Sequence, residues 1–179
     1  MKILVLGIGN VLFSDEGIGV HLCHYIQKKY KFTSNLHSLD FIDGGTLAER
    51  LIPIISEYEY VILFDSISAD NAKIGDVFFF DFDNIPNNIS WQGSAHEVEM
   101  LQTLTMMDII GDRPTTKIIG IIPKVVEGTT LNMSDDVVKG SKIMEKVFAK
   151  HLKELDFEIE VIDEFLDIRQ VANSFSGQL

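Results

Sequence analysis

Three side chains of this sequence form a chemical set: Glu16, Asp65 and His96. Two carboxylates and one imidazole suit a divalent transition metal that keeps positions open for water or substrate. Each residue alone has an ordinary reading. An acid in a first helical turn complements the helix dipole, worth about 0.3–1 kcal/mol. An Asp that ends a buried strand is a turn residue, and a His just after a helix cap is solvated. Taken together at one edge of a sheet, they point to a metal site. Asp43 stands beside Gly44-Gly45, and a plain strand-to-helix turn weighs equally there with a role in contacting substrate. Glu16, Asp65 and Asp43 are the candidates for a general base, a role open to any carboxylate that is not itself a metal ligand.

These residues need a scaffold that delivers them to one edge, and the hydrophobic pattern supplies it. Residues 2–7 are a continuous apolar run, the mark of a strand buried on both faces. A helix is expected over 15–29, with Ser14 as N-cap and Ile18, Leu22, Tyr25 and Ile26 inward. Leu36–Ile42 reads as a second strand. Thr46 and Glu49 then read as a capping box that starts a helix at 47, kinked or ended by Pro53. Tyr60–Phe64 is a third strand closing on Asp65, and Val77–Phe80 is a fourth. No helix separates the third from the fourth, so the fourth is expected to be antiparallel. Ser94 and Glu97 form a second capping box, for a helix running to about 110 with Val98, Leu101, Leu104 and Met107 or Met106 inward. Lys117–Ile122 is a fifth strand, and Ser134 caps a last long helix. Residues 157–162 alternate weakly, and the segment after 163 carries no clear pattern. The expectation is a single-domain α/β fold: a three-layer, twisted, mostly parallel sheet of about five strands flanked by helices. The domain spans 1–162, with 163–179 as a C-terminal tail. In such sheets ligands bind beyond the carboxyl ends of the strands, which is where Glu16, Asp43, Asp65, His96, Lys124 and Glu127 fall.

Composition narrows the function classes. The 179 residues include 15 Lys+Arg against 27 Asp+Glu, a net charge of −12 that repels phosphate backbones, so no nucleic-acid partner is expected. With 46% hydrophobic and 23% charged residues the chain is globular rather than disordered. Cys23 is the sole cysteine, which excludes an internal disulfide and a Cys-based zinc cluster. The opening MKILVLGIGN lacks a cleavage site, and no apolar stretch reaches membrane-spanning length. A cytoplasmic protein with no membrane partner is expected.

Other motifs are weaker. Gly7-Ile8-Gly9 begins like a dinucleotide fingerprint, but Leu12 takes the third glycine position and Asp15-Glu16 would face a pyrophosphate. Asp15-Glu16, Asp65 and Lys124 imitate a phospho-receiver, yet the Lys follows Pro123 instead of preceding it. His21 and His24 have a spacing that could hold a metal, but they lie off the apolar face, so solvated surface is expected. Cys23 reads as a small core residue, and Asp81 to Asn84 as a solvated turn.

Gly7-Ile8-Gly9-Asn10 followed by Asp15-Glu16-Gly17-Ile18-Gly19-Val20 resembles the opening motif of the hydrogenase maturation proteases. The resemblance continues through Asp43-Gly44-Gly45-Thr46, Val61 to Asp65, Ser94-Ala95-His96-Glu97 and Gly120 to Pro123. It departs at Ile122, where many relatives carry Gln, and in the length beyond about residue 160. The resemblance implies an endopeptidase that removes a C-terminal peptide from the precursor of the [NiFe]-hydrogenase large subunit after nickel insertion. It implies Glu16, Asp65 and His96 as nickel ligands, the nickel being supplied by the precursor. The alternatives are a nickel-binding module without hydrolysis and a receiver-like domain using Asp65.

Overall fold

A computed structural model of the chain describes residues 1–90, 95–124 and 129–175, with the side chains of 95–98 outside the description. The strands are β1 (Lys2–Ile8), β2 (Tyr30–Thr33), β3 (Ser38–Gly45), β4 (Tyr60–Ser66), β5 (Ser68–Ala69), β6 (Val77–Asp81), β7 (Ile89–Ser90), β8 (Thr115–Ile121) and β9 (Glu158–Val161). The α-helices are α1 (Ile18–Lys29), α2 (Ile52–Ile55), α3 (Ala95–Ile110), α4 (Asp135–Glu154) and α5 (Ile168–Ser174). Short 3₁₀ turns precede α1 (Ser14–Gly17) and α2 (Ala48–Leu51).

The central sheet has the order β3-β1-β4-β8-β6. β1, β3, β4 and β8 are parallel, and β6 alone runs antiparallel, against β8. β1 and β4 are buried almost throughout, which is why their sequences are continuous rather than alternating. Their pleat feeds two cores. Ile3, Val5, Ile62 and Phe64 face α1, α4 and α5. Leu4, Leu6, Val61 and Leu63 face α2 and α3. The result is the three-layer α/β sandwich expected from sequence.

Several local expectations change. The first helix is split: a 3₁₀ turn carries Ser14 to Gly17, and Ser14 lies inside it at φ 53° instead of capping it. Thr46 makes no capping box. The 3₁₀ turn starts from Leu47 with no side-chain cap, and Ala48 is held at φ 42°. Pro53 sits in the first turn of α2, where its missing N–H costs nothing. Ser134 does cap α4, accepting from the Val137 N–H. In α3, Leu104 and Met107 are buried and Met106 is half exposed, while Ser94 and the side chains of Glu97 and Val98 lie outside the described residues. β9 forms over 158–161 and pairs with β2, a strand the sequence left unread. Asp167 caps α5, whose Ile168, Val171 and Ala172 join the α1/α4 core. Among the described residues no helix is long and apolar enough to cross a membrane.

Candidate active site at the carboxyl edge of the sheet

The parallel strands deliver their carboxyl ends to one edge, and glycines let α1 settle onto it. A Cβ on Gly19 would lie 2.2 Å from the carbonyl oxygens of Ile8 and Phe64, so only glycine allows the helix to rest on the ends of β1 and β4. Three residues before Gly19 is Glu16; one residue beyond Phe64 is Asp65. The 3₁₀ turn bearing Glu16 packs against β4. Gly9, at φ +139°, makes a second close approach: a Cβ there would meet the Glu16 carbonyl oxygen at 1.9 Å.

The neighbouring acids Asp15 and Glu16 have opposite fates. Asp15 is fully buried and structural. Its Oδ1 accepts the Ser134 N–H at 2.7 Å, and its Oδ2 accepts the Lys124 N–H at 2.9 Å and the Ser134 hydroxyl at 2.6 Å. One carboxylate therefore ties the turn after β1 to the segment after β8 and to the cap of α4. Glu16 is half-buried at the edge itself.

Asp65 is wholly buried at the end of β4. Leu63 faces the α3 side, and side chains alternate along a strand, so Asp65 stands on the α3 side too. Its register partner on β8 is Gly120, over which the buried side chain of Ile67 packs. His96 lies in the first turn of α3, on the same side of the sheet. The Glu16 turn thus packs against the strand that carries Asp65, and Asp65 stands on the face of the sheet that α3 covers. The His96 side chain and Glu127 are outside the described residues, and among those described no group of three or more His, Cys, Asp or Glu gathers closely enough to hold a metal.

Asp43 ends up on the other side. It pairs in register with Gly7, as does Phe64. Two inter-strand spacings of about 4.8 Å put its backbone roughly 10 Å from that of Phe64, the residue before Asp65. Its Oδ1 accepts the Gly45 N–H at 3.0 Å, and its Oδ2 meets His24 Nε2 at 2.9 Å on the α1 face. Asp43 is thus a turn residue and a hydrogen-bond partner of His24, turned away from Asp65. The His24 pairing was not legible in sequence, because it needs the register of β3 against α1.

His21 is a correction. The expectation of solvated surface fails: its ring is fully buried, and neither nitrogen makes a hydrogen bond among the described residues. Phe175, just past α5, packs edge-on over both His21 and His24 at 5.2 and 5.3 Å. Burial pushes the His21 imidazole down to about 4; His24 adds to this and Asp43 opposes it. Cys23 is a core residue as expected, its thiol donating weakly to Ile42 at 3.5 Å. Burial pushes that thiol up to about 12, so it is no nucleophile at neutral pH. Lys124 meets Asp15 through its backbone N–H.

The family profile of hydrogenase maturation proteases matches residues 20–151, which is more than half of the chain. The chain belongs to the hydrogenase maturation protease family. It is 51% identical over 145 residues to protein HydD of Wolinella succinogenes, covering 80% of this chain and 91% of that one. It is 27% identical over 128 residues to the hydrogenase 2 maturation protease of Escherichia coli, covering 71% of this chain and 76% of that one. Among solved structures, the hydrogenase maturating endopeptidase HybD from E. coli superposes with a TM-score of 0.77 at 23% identity, over 90% of this chain and 98% of that one. Family and fold agree with the mostly parallel sheet flanked by helices. The receiver-like reading gives way to membership of this maturation peptidase family.

Proposed function

We propose that this protein cleaves a C-terminal peptide from the precursor of the [NiFe]-hydrogenase large subunit after nickel insertion, and that Glu16, Asp65 and His96 recognise the nickel. The observation that carries this reading is the buried carboxylate of Asp65 beside Gly120, on the side of the sheet where α3 begins and next to the turn bearing Glu16. Two carboxylates with an imidazole form a donor set that nickel accepts. The metal is cargo of the precursor, so the enzyme supplies only part of its coordination. The chemistry a bound ion would supply is polarisation of the scissile carbonyl or activation of a water.

This chain's own residues have narrower tasks. Asp15 holds the Glu16 turn in place through three hydrogen bonds. Gly9 and Gly19 allow that turn and α1 to approach the strand ends. Glu16, half-exposed at the edge, is the carboxylate best placed to take a proton from an attacking water if the precursor's own ligands saturate the metal.

The test uses Asp65→Asn and His96→Ala with nickel-loaded precursor. Each variant should keep its melting temperature to within a few degrees yet lose both cleavage and stable co-elution with the precursor. If both bind and cleave as the parent does, the nickel-recognition reading is wrong.

A further inference from the structure

α3 is apolar over most of its circumference, a pattern expected of a helix covered on more than one side. One side is covered: Met100, Leu104 and Met107 are buried against the sheet. Another is bare. Met106, Ile109 and Ile110 are 50%, 79% and 68% exposed. Beside this face runs a groove of about 540 Å³, within the range of ordinary ligand sites. One wall carries Leu47, Glu49 and Arg50 from the segment after Asp43; the other carries Glu99, Gln102 and Met106 from α3.

One wall follows the end of β3 and the other follows the first turn of α3. Thr46, at the groove's mouth, follows the Asp43-Gly44-Gly45 turn, and that turn is fastened to the β1 end by the Gly9 N–H bonded to Gly45 O at 2.9 Å. Glu99 lies three residues past His96, about 4.5 Å along the helix, and Met106 about 15 Å. An extended peptide at about 3.3 Å per residue would lay four or five residues along that length. The lining suits such a peptide. Arg50, which makes no ion pair among the described residues, and Gln102 can donate to peptide carbonyls; Glu49 and Glu99 can accept peptide N–H groups; Leu47 and Met106 offer apolar contact.

We propose that this groove seats the C-terminal extension of the precursor, as an extended peptide with apolar side chains on Leu47 and Met106. The proposal rests on the function proposed above: the metal stays with the folded body of the precursor at the sheet edge, and the extension is the chain that must lead away from it. The groove then sets which extension is accepted, apart from the metal that licenses the cut.

The test is steady-state cleavage of nickel-loaded precursor by the parent, Leu47→Glu, Met106→Glu and, as a control on the far side of the molecule, Ile143→Glu. Losing one buried apolar contact to a charge should lower kcat/KM by about tenfold to a hundredfold. The loss should appear in KM, with melting temperature and kcat retained and Ile143→Glu unaffected. A synthetic peptide copying the extension should inhibit the parent competitively and the two groove variants less. Unchanged kcat/KM in both groove variants, a loss confined to kcat, or a peptide that does not compete would each overturn the groove while leaving the peptidase reading intact. Failure of the parent to cleave the loaded precursor would overturn both.

Discussion

Replacing Asp15 by Asn tests how the Glu16 turn is held. Oδ1 takes one backbone N–H, from Ser134, and Oδ2 takes the Lys124 N–H and the Ser134 hydroxyl. Asparagine keeps the volume but turns one oxygen into an NH₂. If the NH₂ replaces Oδ2, the Lys124 N–H faces a donor; if it replaces Oδ1, the Ser134 N–H does. The hydroxyl can rotate, but a backbone N–H cannot. One backbone donor aimed at the buried Asp15 side chain is therefore stranded in either orientation, at a cost of about 1–3 kcal/mol. With an unfolding entropy of about 2.1 cal/mol/K per residue, a 2 kcal/mol loss lowers the melting temperature by about 5 °C in a chain this long. Thermal unfolding followed by circular dichroism at pH 7 reads this directly. The variant remains folded at 25 °C, so a drop in precursor cleavage there reports displacement of Glu16 and not unfolding. A melting temperature within about 1 °C of the parent's would refute the reasoning, since it would mean the three bonds contribute nothing net.

Other consequences follow from the same edge. His21 has a pKa of about 4 in the folded chain against 6.5 unfolded, so the unfolded chain binds the extra proton between those values. Its contribution is complete above about pH 6.5 and is lost as the pH falls toward 4, by about 3 kcal/mol in all. Urea unfolding at pH 7 and pH 4.5 should show a steep loss in the parent and a flatter one in His21→Leu; equal losses would contradict the burial argument. Gly9→Ala places a methyl against the Glu16 carbonyl oxygen under a positive φ. It should cost about 1–3 kcal/mol and abolish cleavage with little change in far-UV circular dichroism, whereas an active variant would mean that the turn tolerates movement. Cys23, buried and with its thiol near 12, should react with a disulfide reagent at pH 8 only as fast as the chain opens. Immediate stoichiometric labelling of native protein would rule that out.

What was legible in the sequence was whatever depends on local pattern. β1 and β4 are continuous apolar runs because both faces are covered, and Ser134 caps α4 through its own backbone neighbour, Val137. The antiparallel β6 followed from the missing crossover helix. What was not legible depends on contacts distant in sequence. The burial of His21 comes from Phe175, more than 150 residues later, packing across α1. β2 is four residues long and exists because β9 pairs with it. Thr46 has the spacing of a capping box, but the chain turns instead through Leu47 and a strained Ala48. Within the candidate site, the sequence could not sort the acids it singled out. Asp15 is the buried anchor and Glu16 the half-buried group, although they are adjacent; Asp43 and Asp65 both lie near strand ends, yet the pleat sends them to opposite faces.

In the proposed function, nickel in the precursor, met by Glu16, Asp65 and His96, licenses a single cut. The most direct measurement is the intact mass of the large-subunit precursor after incubation with this protein, in nickel-loaded and nickel-free forms side by side. The account predicts loss of one C-terminal peptide from the loaded precursor and an unchanged mass for the nickel-free one. Equal cleavage of both forms would contradict nickel recognition, and an unchanged mass for the loaded form would contradict the peptidase assignment itself.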